Sequence, residues 1–426
     1  MSSTKPLMVA VTVFTLACGF LPRAASAQAT SKLQVLYAFH GKDGQSPSGG
    51  VIFDAEGNLY GTTALGGDEV SCSVNGCGTV FELTPGANGK WTEKVLHAFH
   101  ETDGSDPSGG VIFDSTGNLY GTTSELGYFG DGNVFKLTPA SNGKWRETVL
   151  HIFDGTDGVY PFAGVVFDAK GNLYGTTDLG GSYTKCRLNG CGTVFKLAPR
   201  GGVEWSDETI HAFERRDGEH LATGVIFGTD GNLYGTAGGG PRRGGVVFKL
   251  TPGAKGKWTE TLLYSFGGVD VVYDPVAVIF DREGNLYGTA FQSSSSNCGS
   301  AGCGGVFELM PGADGKWTEK VLYTFHGSDG ETPDAALTFD KAGNLYGTTF
   351  LGGDSNQGVI FKLTPHANGK WTETVLHSFN GNDGAEPSSA LIFDTAGYLY
   401  GTTYSGGNFS ECNNKDGCGV VFKFTP

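Results

Sequence analysis

The hexapeptide GNLYGT recurs seven times along this chain, starting at Gly57, Gly117, Gly171, Gly231, Gly284, Gly343 and Gly397, the last copy reading GYLYGT. Successive copies lie 53 to 60 residues apart. Recurrence at that distance means units that bury their apolar faces only against one another, as in a propeller or a solenoid. The longer unit, clearest around residues 90–139, runs KWTEKVLHAF, a DG turn, GVIFDSTGNLYGTT and NVFKLTP.

Within a unit the apolar residues define four short strands, A (GVIFD), B (NLYGTT), C (GTVFKLTP) and D (KWTETVLHSF), each bounded by Gly, Pro, Asp or Asn. A and B are joined by D-x-x-G, a hairpin turn with a glycine, and C and D by a P-G-A-N-G-K type of loop. Nothing resembles a helix start, interior and stop. The expectation is an all-β protein: a seven-bladed β-propeller of four-stranded antiparallel blades. Blade cores fall near 50–99, 110–153, 164–213, 224–266, 277–325, 336–379 and 390–426.

The two ends of the repeat array are complementary. Leu33–Phe39 (LQVLYAF) matches strand D with no A, B or C before it, and Gly419–Pro426 (GVVFKFTP) matches strand C with no D after it. Pairing residues 33–39 onto the last blade removes both raw sheet edges and closes the ring. An open solenoid would need capping repeats, and none is visible. Trp91, Trp145, Trp205, Trp258, Trp317 and Trp371 share one position at the start of strand D, where the orphan strand has Ser31. Packing between blades, not sugar stacking, is expected of them.

A second period spans two blades. The longer units carry Cys72/Cys77, Cys186/Cys191, Cys298/Cys303 and Cys412/Cys418, all between strands B and C of blades 1, 3, 5 and 7. Four local disulfides are expected, each contributing roughly 2 kcal/mol by the chain-entropy argument. Zinc would need His or carboxylates beside each pair, and spacers such as SVNG, RLNG and GSAG offer none.

Residues 1–27 read as a secretory signal: Lys5, an apolar stretch from Pro6 to Leu21, and Ala25-Ser26-Ala27 as a cleavage site. The rest, 28–426, is then a single propeller domain, secreted or periplasmic after cleavage near Ala27. Lipidation at Cys18 is the lesser alternative, because Thr15 stands where a bulky aliphatic is wanted. Without residues 1–27 the formal charge is −17 on 399 residues. So acidic a chain disfavours nucleic acid, no polybasic run points to anionic lipid, and a monomer without a transmembrane span is expected.

Strand alternation puts the BC and DA loops on one face, and BC is long and variable, so this face is the candidate ligand surface. Every DA loop there carries an aspartate: Asp43, Asp103, Asp157, Asp217, Asp270, Asp329 and Asp383. They read either as a carboxylate ring at the channel mouth or as turn residues tying each loop to itself. A second set, Asp54, Asp114, Asp168, Asp281, Asp340 and Asp394, with Gly228 in blade 4, starts the AB turn. His97, His151, His211 and His377 share a strand-D position that Tyr fills elsewhere, one per blade, so they cannot converge on one metal. No catalytic residue, cofactor site, calcium loop or metal site is expected. Acids that break the symmetry are Asp68, Glu69, Glu125, Asp131, Asp178 and Asp354.

The units LYGTT…GG…GTVFKLTP…GKWTETVLHSF…DG…P…LIFD resemble the bacterial exported proteins built of GloVer tandem repeats, the "choice-of-anchor" group, over residues 33–426. The resemblance implies the repeat fold and a place outside the cytoplasm, and brings no substrate. Family members often end in an anchoring tail; this chain departs from that pattern, stopping at Phe424-Thr425-Pro426, and covalent anchoring is not an expectation here. The functional expectation is a non-catalytic binding module for an extracellular glycan or protein. The alternatives are a lyase or glycoside hydrolase with its site at the channel mouth, or a purely structural cell-surface repeat.

Overall fold

The computed structural model describes residues 32–426, apart from 68–71, 73–74, 126–129, 142, 184–185, 187–188, 202–203, 269, 295–297, 299–301, 411 and 413–414. Residues 1–27, expected to be a signal and including Cys18, together with Ser31, Asp68 and Glu69, therefore lie outside the described residues. The chain forms seven four-stranded sheets, each an antiparallel meander. Blade 1 shows the pattern: A is Val51–Phe53, B Leu59–Thr63, C Thr79–Pro85 and D Trp91–Ala98. The LYGT segment of strand B is buried in every blade, whereas strand D alternates half-buried and exposed positions.

The seventh blade is closed as expected. Its A, B and C strands are Ile392–Phe393, Leu399–Thr403 and Val420–Thr425, and its outer strand is Lys32–Ala38. The register runs from Lys32 opposite Thr425 to Ala38 opposite Val420, with a bulge at Leu36. Blade 1 has the same bulge at Leu96. The Phe39 amide then donates to Gly419 O at 3.1 Å, as Phe99 does to Gly78 O at 3.0 Å. Strand D therefore keeps one geometry whether it follows its blade in the chain or precedes it by the length of the propeller.

The junctions between blades explain the repeated residues. The phenylalanine after each strand D is wholly buried and meets, edge to face, the strand-C phenylalanine of the next blade: Phe39 on Phe81 at 5.1 Å, Phe99 on Phe135 at 5.0 Å, and so on round to Phe379 on Phe422 at 5.4 Å. The Phe81 ring lies over Gly61 of its own blade, where a Cβ would come within 2.6 Å of Cζ, so the glycine of LYGT makes room for an aromatic ring. The tyrosine of the same motif reaches into the next blade. Tyr60 packs against Phe113 at 4.9 Å and Trp145 at 6.5 Å, and the strand-D tryptophans are interblade packing residues throughout. Threonine then ties the blades near the axis: Thr62 Oγ1 donates to Gly109 O at 3.0 Å and Thr176 Oγ1 to Thr223 O at 2.8 Å. Four disulfides form as expected, Cys72–Cys77, Cys186–Cys191, Cys298–Cys303 and Cys412–Cys418, with Cα separations of 5.1 to 5.7 Å.

Candidate functional site

A cavity of about 760 Å³ takes lining residues from all seven blades, from Ser48 of the first to Ala390 of the seventh, and so lies on the propeller axis. Its wall is made where each DA loop enters strand A. Small residues there let the inner strands close in: a Cβ on Gly49 would meet Gly110 N at 2.4 Å, and one on Gly109 would meet Gly164 N at 2.5 Å.

Above this wall runs a ring that breaks the repeat. Ser46, Asp106, Tyr160, His220, Asp274, Thr332 and Glu386 occupy one position, and all have φ between +54° and +58°. For residues with a Cβ this conformation is unfavourable, and it persists because the surroundings fix it. Each amide in the ring donates to the preceding blade: Asp106 N to Cys77 O at 3.0 Å, His220 N to Cys191 O at 3.2 Å, Asp274 N to Gly244 O at 2.7 Å. The carbonyls accept from the end of strand B of their own blade, as with Ser124 N to Asp106 O at 3.0 Å. Proline follows in six of the seven, Leu221 being the exception. The backbone is thus identical around the ring while the side chains are Ser, Asp, Tyr, His, Asp, Thr and Glu. Structure fixes the main chain and leaves the side chains free to differ.

Blade 5 departs most. Its DA loop has Val271 where the other loops have glycine after the aspartate. Without that turn, strand A runs from Val272 to Phe280 and strand B from Leu286 to Ser293, longer than in any other blade. The extended hairpin brings Asp274 and Phe291 into the cavity wall, with Phe291 39% exposed. Blade 3 adds Phe162, stacked on Tyr160 at 5.8 Å, and blade 6 adds Asp334, where the other blades carry Ser, Ser, Phe, Ala, Val and Ser.

The charges are uneven. Asp106 is satisfied by the Ser108 and Ser124 hydroxyls, Glu386 by Ser405, and Glu219 by Arg215 at 3.5 Å. His220 meets Asp178 at 3.3 Å, and burial holds the Asp178 carboxyl above the usual range despite that imidazole. Desolvation alone raises Asp274, and it pushes Asp334 up to about 6. Neither carboxyl has a charged partner among the described residues, and no lysine or arginine is among the described residues of the wall.

The repeated DA-loop aspartates stand elsewhere. Each accepts from the backbone amide three residues earlier, such as His40 N to Asp43 at 2.7 Å and Glu214 N to Asp217 at 2.6 Å. Each also holds a strand-D side chain: His97 on Asp103 at 3.1 Å, His151 on Asp157 at 2.7 Å, His211 on Asp217 at 3.3 Å, His377 on Asp383 at 3.0 Å, and Tyr37, Tyr264 and Tyr323 on Asp43, Asp270 and Asp329. The cavity wall contains none of these seven. Asp54 and its counterparts accept from the AB turn, as in Asn58 N to Asp54 at 2.8 Å. Of the acids that break symmetry in the sequence, Asp178 reaches the axial site through His220; Asp131 lies by Tyr160 and Tyr183 in a smaller cleft, and Glu125 and Asp354 are away from the cavity wall. Asp274, Asp334, His220 and Phe291 were missed. Three signals mark them: the residue before each DA-loop proline varies and includes Asp274, blade 4 has His220-Leu221 in place of a proline pair and blade 6 an acid, Asp334, directly after its proline, and blade 5, which carries Phe291, lacks its glycine.

Among the described residues one group converges like metal ligands: His151, Asp157 and Asp207, with ligand atoms within 4.8 Å of one another. His151 and the Asp154 amide already engage Asp157, and Asp207 is exposed, so the group behaves as a salt bridge with a carboxylate beside it.

Fold and site together define a closed seven-bladed propeller with an asymmetric axial cavity. The Gloeobacter/Verrucomicrobia repeat matches residues 23–188, 70–301 and 293–426, and the chain belongs to that family. Comparison with curated proteins finds no match. Among solved structures, the extracellular domain of a hybrid two-component system from B. thetaiotaomicron is similar at 13% identity and a TM-score of 0.56, over 92% of this chain and 42% of that one. A glucose dehydrogenase-type oxidoreductase from Thermus thermophilus aligns at 15% identity (TM-score 0.39, 93% of this chain, 100% of that one). A gluconolactonase from Xanthomonas campestris aligns at 16% (TM-score 0.40, 76% and 87%). At such identities the likeness is one of fold alone.

Proposed function

We propose that this protein is an exported binding module that holds a segment of extracellular glycan in its axial cavity. The observation that carries the reading is the asymmetry of the cavity: one backbone conformation at the ring position of seven blades, with Phe162, Phe291, Asp274, Asp334 and the His220–Asp178 pair added at single positions. An exposed aromatic ring, Phe291, and a half-buried one, Phe162, in a wall with a few polar groups suit a sugar ring, which is apolar on its faces and polar at its rim. The four disulfides fit an oxidising compartment, and among the described residues no helix is long and apolar enough to cross a membrane. Amino-terminal sequencing of the exported protein tests the location, with Gln28 expected as the first residue.

Screening the purified protein on a glycan array tests the activity. Binding is expected, and Phe291→Ala should weaken it about tenfold without lowering the melting temperature by more than ~2 °C. An array with no bound saccharide refutes the reading. A second reading, hydrolysis or elimination at the same site, draws on Asp334, whose desolvated carboxyl near 6 is poised between acid and base. Release of reducing ends from a bound polysaccharide, abolished by Asp334→Asn, would favour it.

A further inference from the structure

One side of the axial cavity wall carries two carboxyls without a countercharge among the described residues. Asp274 and Asp334 come from adjacent blades, 5 and 6, and both face the cavity with no ionic partner among the described residues. Glu219 of blade 4 extends the same arc, with its carboxylate shared with Arg215. Across the ring, blades 7, 1 and 2 supply Ser388, Ser48 and Ser108 with glycine and alanine between them. The only basic side chain among the described lining residues is His220, already held by Asp178.

A carboxyl in a desolvated wall without a partner is unfavourable in its charged form, and an arriving cation relieves that cost. A ligand carboxylate would worsen it, so polyuronates and other acidic glycans are excluded from this cavity. The occupant must bring hydrogen-bond donors and positive charge to blades 5 and 6, an apolar face to Phe291 and Phe162, and hydroxyls to the serines. We infer that the cavity recognises a saccharide bearing a free, protonated amino group, with Asp334 and Asp274 as the residues that select the ammonium. This rests on the glycan-binding reading and narrows it to one substrate class.

Calorimetric titration of the full exported chain tests the inference with four probes of similar length: a β-1,4-linked glucosamine hexamer, its fully N-acetylated counterpart, an oligogalacturonate and a lysine hexapeptide. The glucosamine hexamer should bind at least tenfold more tightly than the acetylated one, as a charge-assisted hydrogen bond implies, and the oligogalacturonate should not bind. Asp334→Asn should remove most of that preference, read as the ratio of the two hexamer affinities. Asp274→Asn provides the independent second variant, since asparagine tolerates the positive φ at that site. Equal affinity for the two hexamers, or a preference that survives in both folded variants, overturns the amino-group assignment while the glycan-binding reading stands. Binding of the lysine peptide without any saccharide overturns both, and failure of all four probes overturns the amino-group assignment, leaving the glycan-binding reading to the array.

Discussion

Glu93, Glu147, Glu260, Glu319 and Glu373 occupy one strand-D position, and each holds a buried Oε1 with no hydrogen-bond partner among the described residues. Burial, followed in four of them by the charge of the preceding DA-loop aspartate, pushes Glu93 up to about 8 and Glu147, Glu319 and Glu373 to about 7. Glu260, where His211 works against Asp217, reaches about 6. These carboxyls are raised in the folded state, so their contribution is fully present below the ordinary carboxyl pKa of 4.5 and is lost as pH rises through 6 to 8. The melting temperature should therefore fall between pH 5 and pH 8.5. A Glu93→Gln/Glu147→Gln variant should flatten that fall by about 2 °C per site, allowing for solvent screening, as read by calorimetry across pH. Asp114 has the opposite sign: against its burial, hydrogen bonds from Asn118 and Thr116 hold it down to about 2, so its contribution disappears only in strong acid. Phe99→Ala, which empties a wholly buried edge-to-face contact, should cost about 3–5 kcal/mol by chemical denaturation. The glutamate recurs visibly in the sequence as W-T-E, or W-R-E at Glu147, but its neighbour Asp103 or Asp43 belongs to the preceding blade. A contact between two repeats leaves no local pattern to read.

Elements show where the repeat could be read and where it could not. The D-x-x-G hairpin, the four cysteine pairs and the orphan strand D were legible because local composition determines each of them. Blade 4 is instructive: Gly228 replaces the turn aspartate, and Asp230, two residues later, receives the Tyr234 hydroxyl at 2.8 Å instead. The axial site was not legible, because it depends on one residue per blade converging across the whole chain. The long hairpin of blade 5 is the intermediate case, written in the missing glycine after Asp270 but readable only against six other copies. The disulfides connect to this site. The inner cysteines Cys77, Cys191, Cys303 and Cys418 present their carbonyls to Asp106, His220, Thr332 and Ser46 of the next blade. Cys303→Ser should lower stability by roughly 2 kcal/mol, leave the fold intact, and weaken ligand binding severalfold by loosening the segment that carries Asp334. Denaturant titration and calorimetry on the same sample separate the two effects.

At the scale of the whole molecule, each of the seven sheets finds its partners on both sides, and closure rests on a strand that lies far from its sheet in the chain. The seam is plainer than the other junctions: strand D of blade 7 has Leu33 where its counterparts have Glu or Asp, and Thr402 bonds Ser389 of its own blade instead of a neighbour. Removing residues 28–39 should expose strand C of blade 7 and lower the melting temperature by more than ~10 °C, with increased aggregation seen by light scattering. Appending residues 32–39 after Pro426 through a short linker should restore the loss, since the same strand then reaches the same edge. The pairing of Lys32 with Thr425 also sets an order of events. In a chain synthesised from the amino end, the propeller strand made first must wait for the one made last. The disc cannot lock until the last of its strands has been made, and Lys32–Ala38 spends that interval without the partner it finally takes.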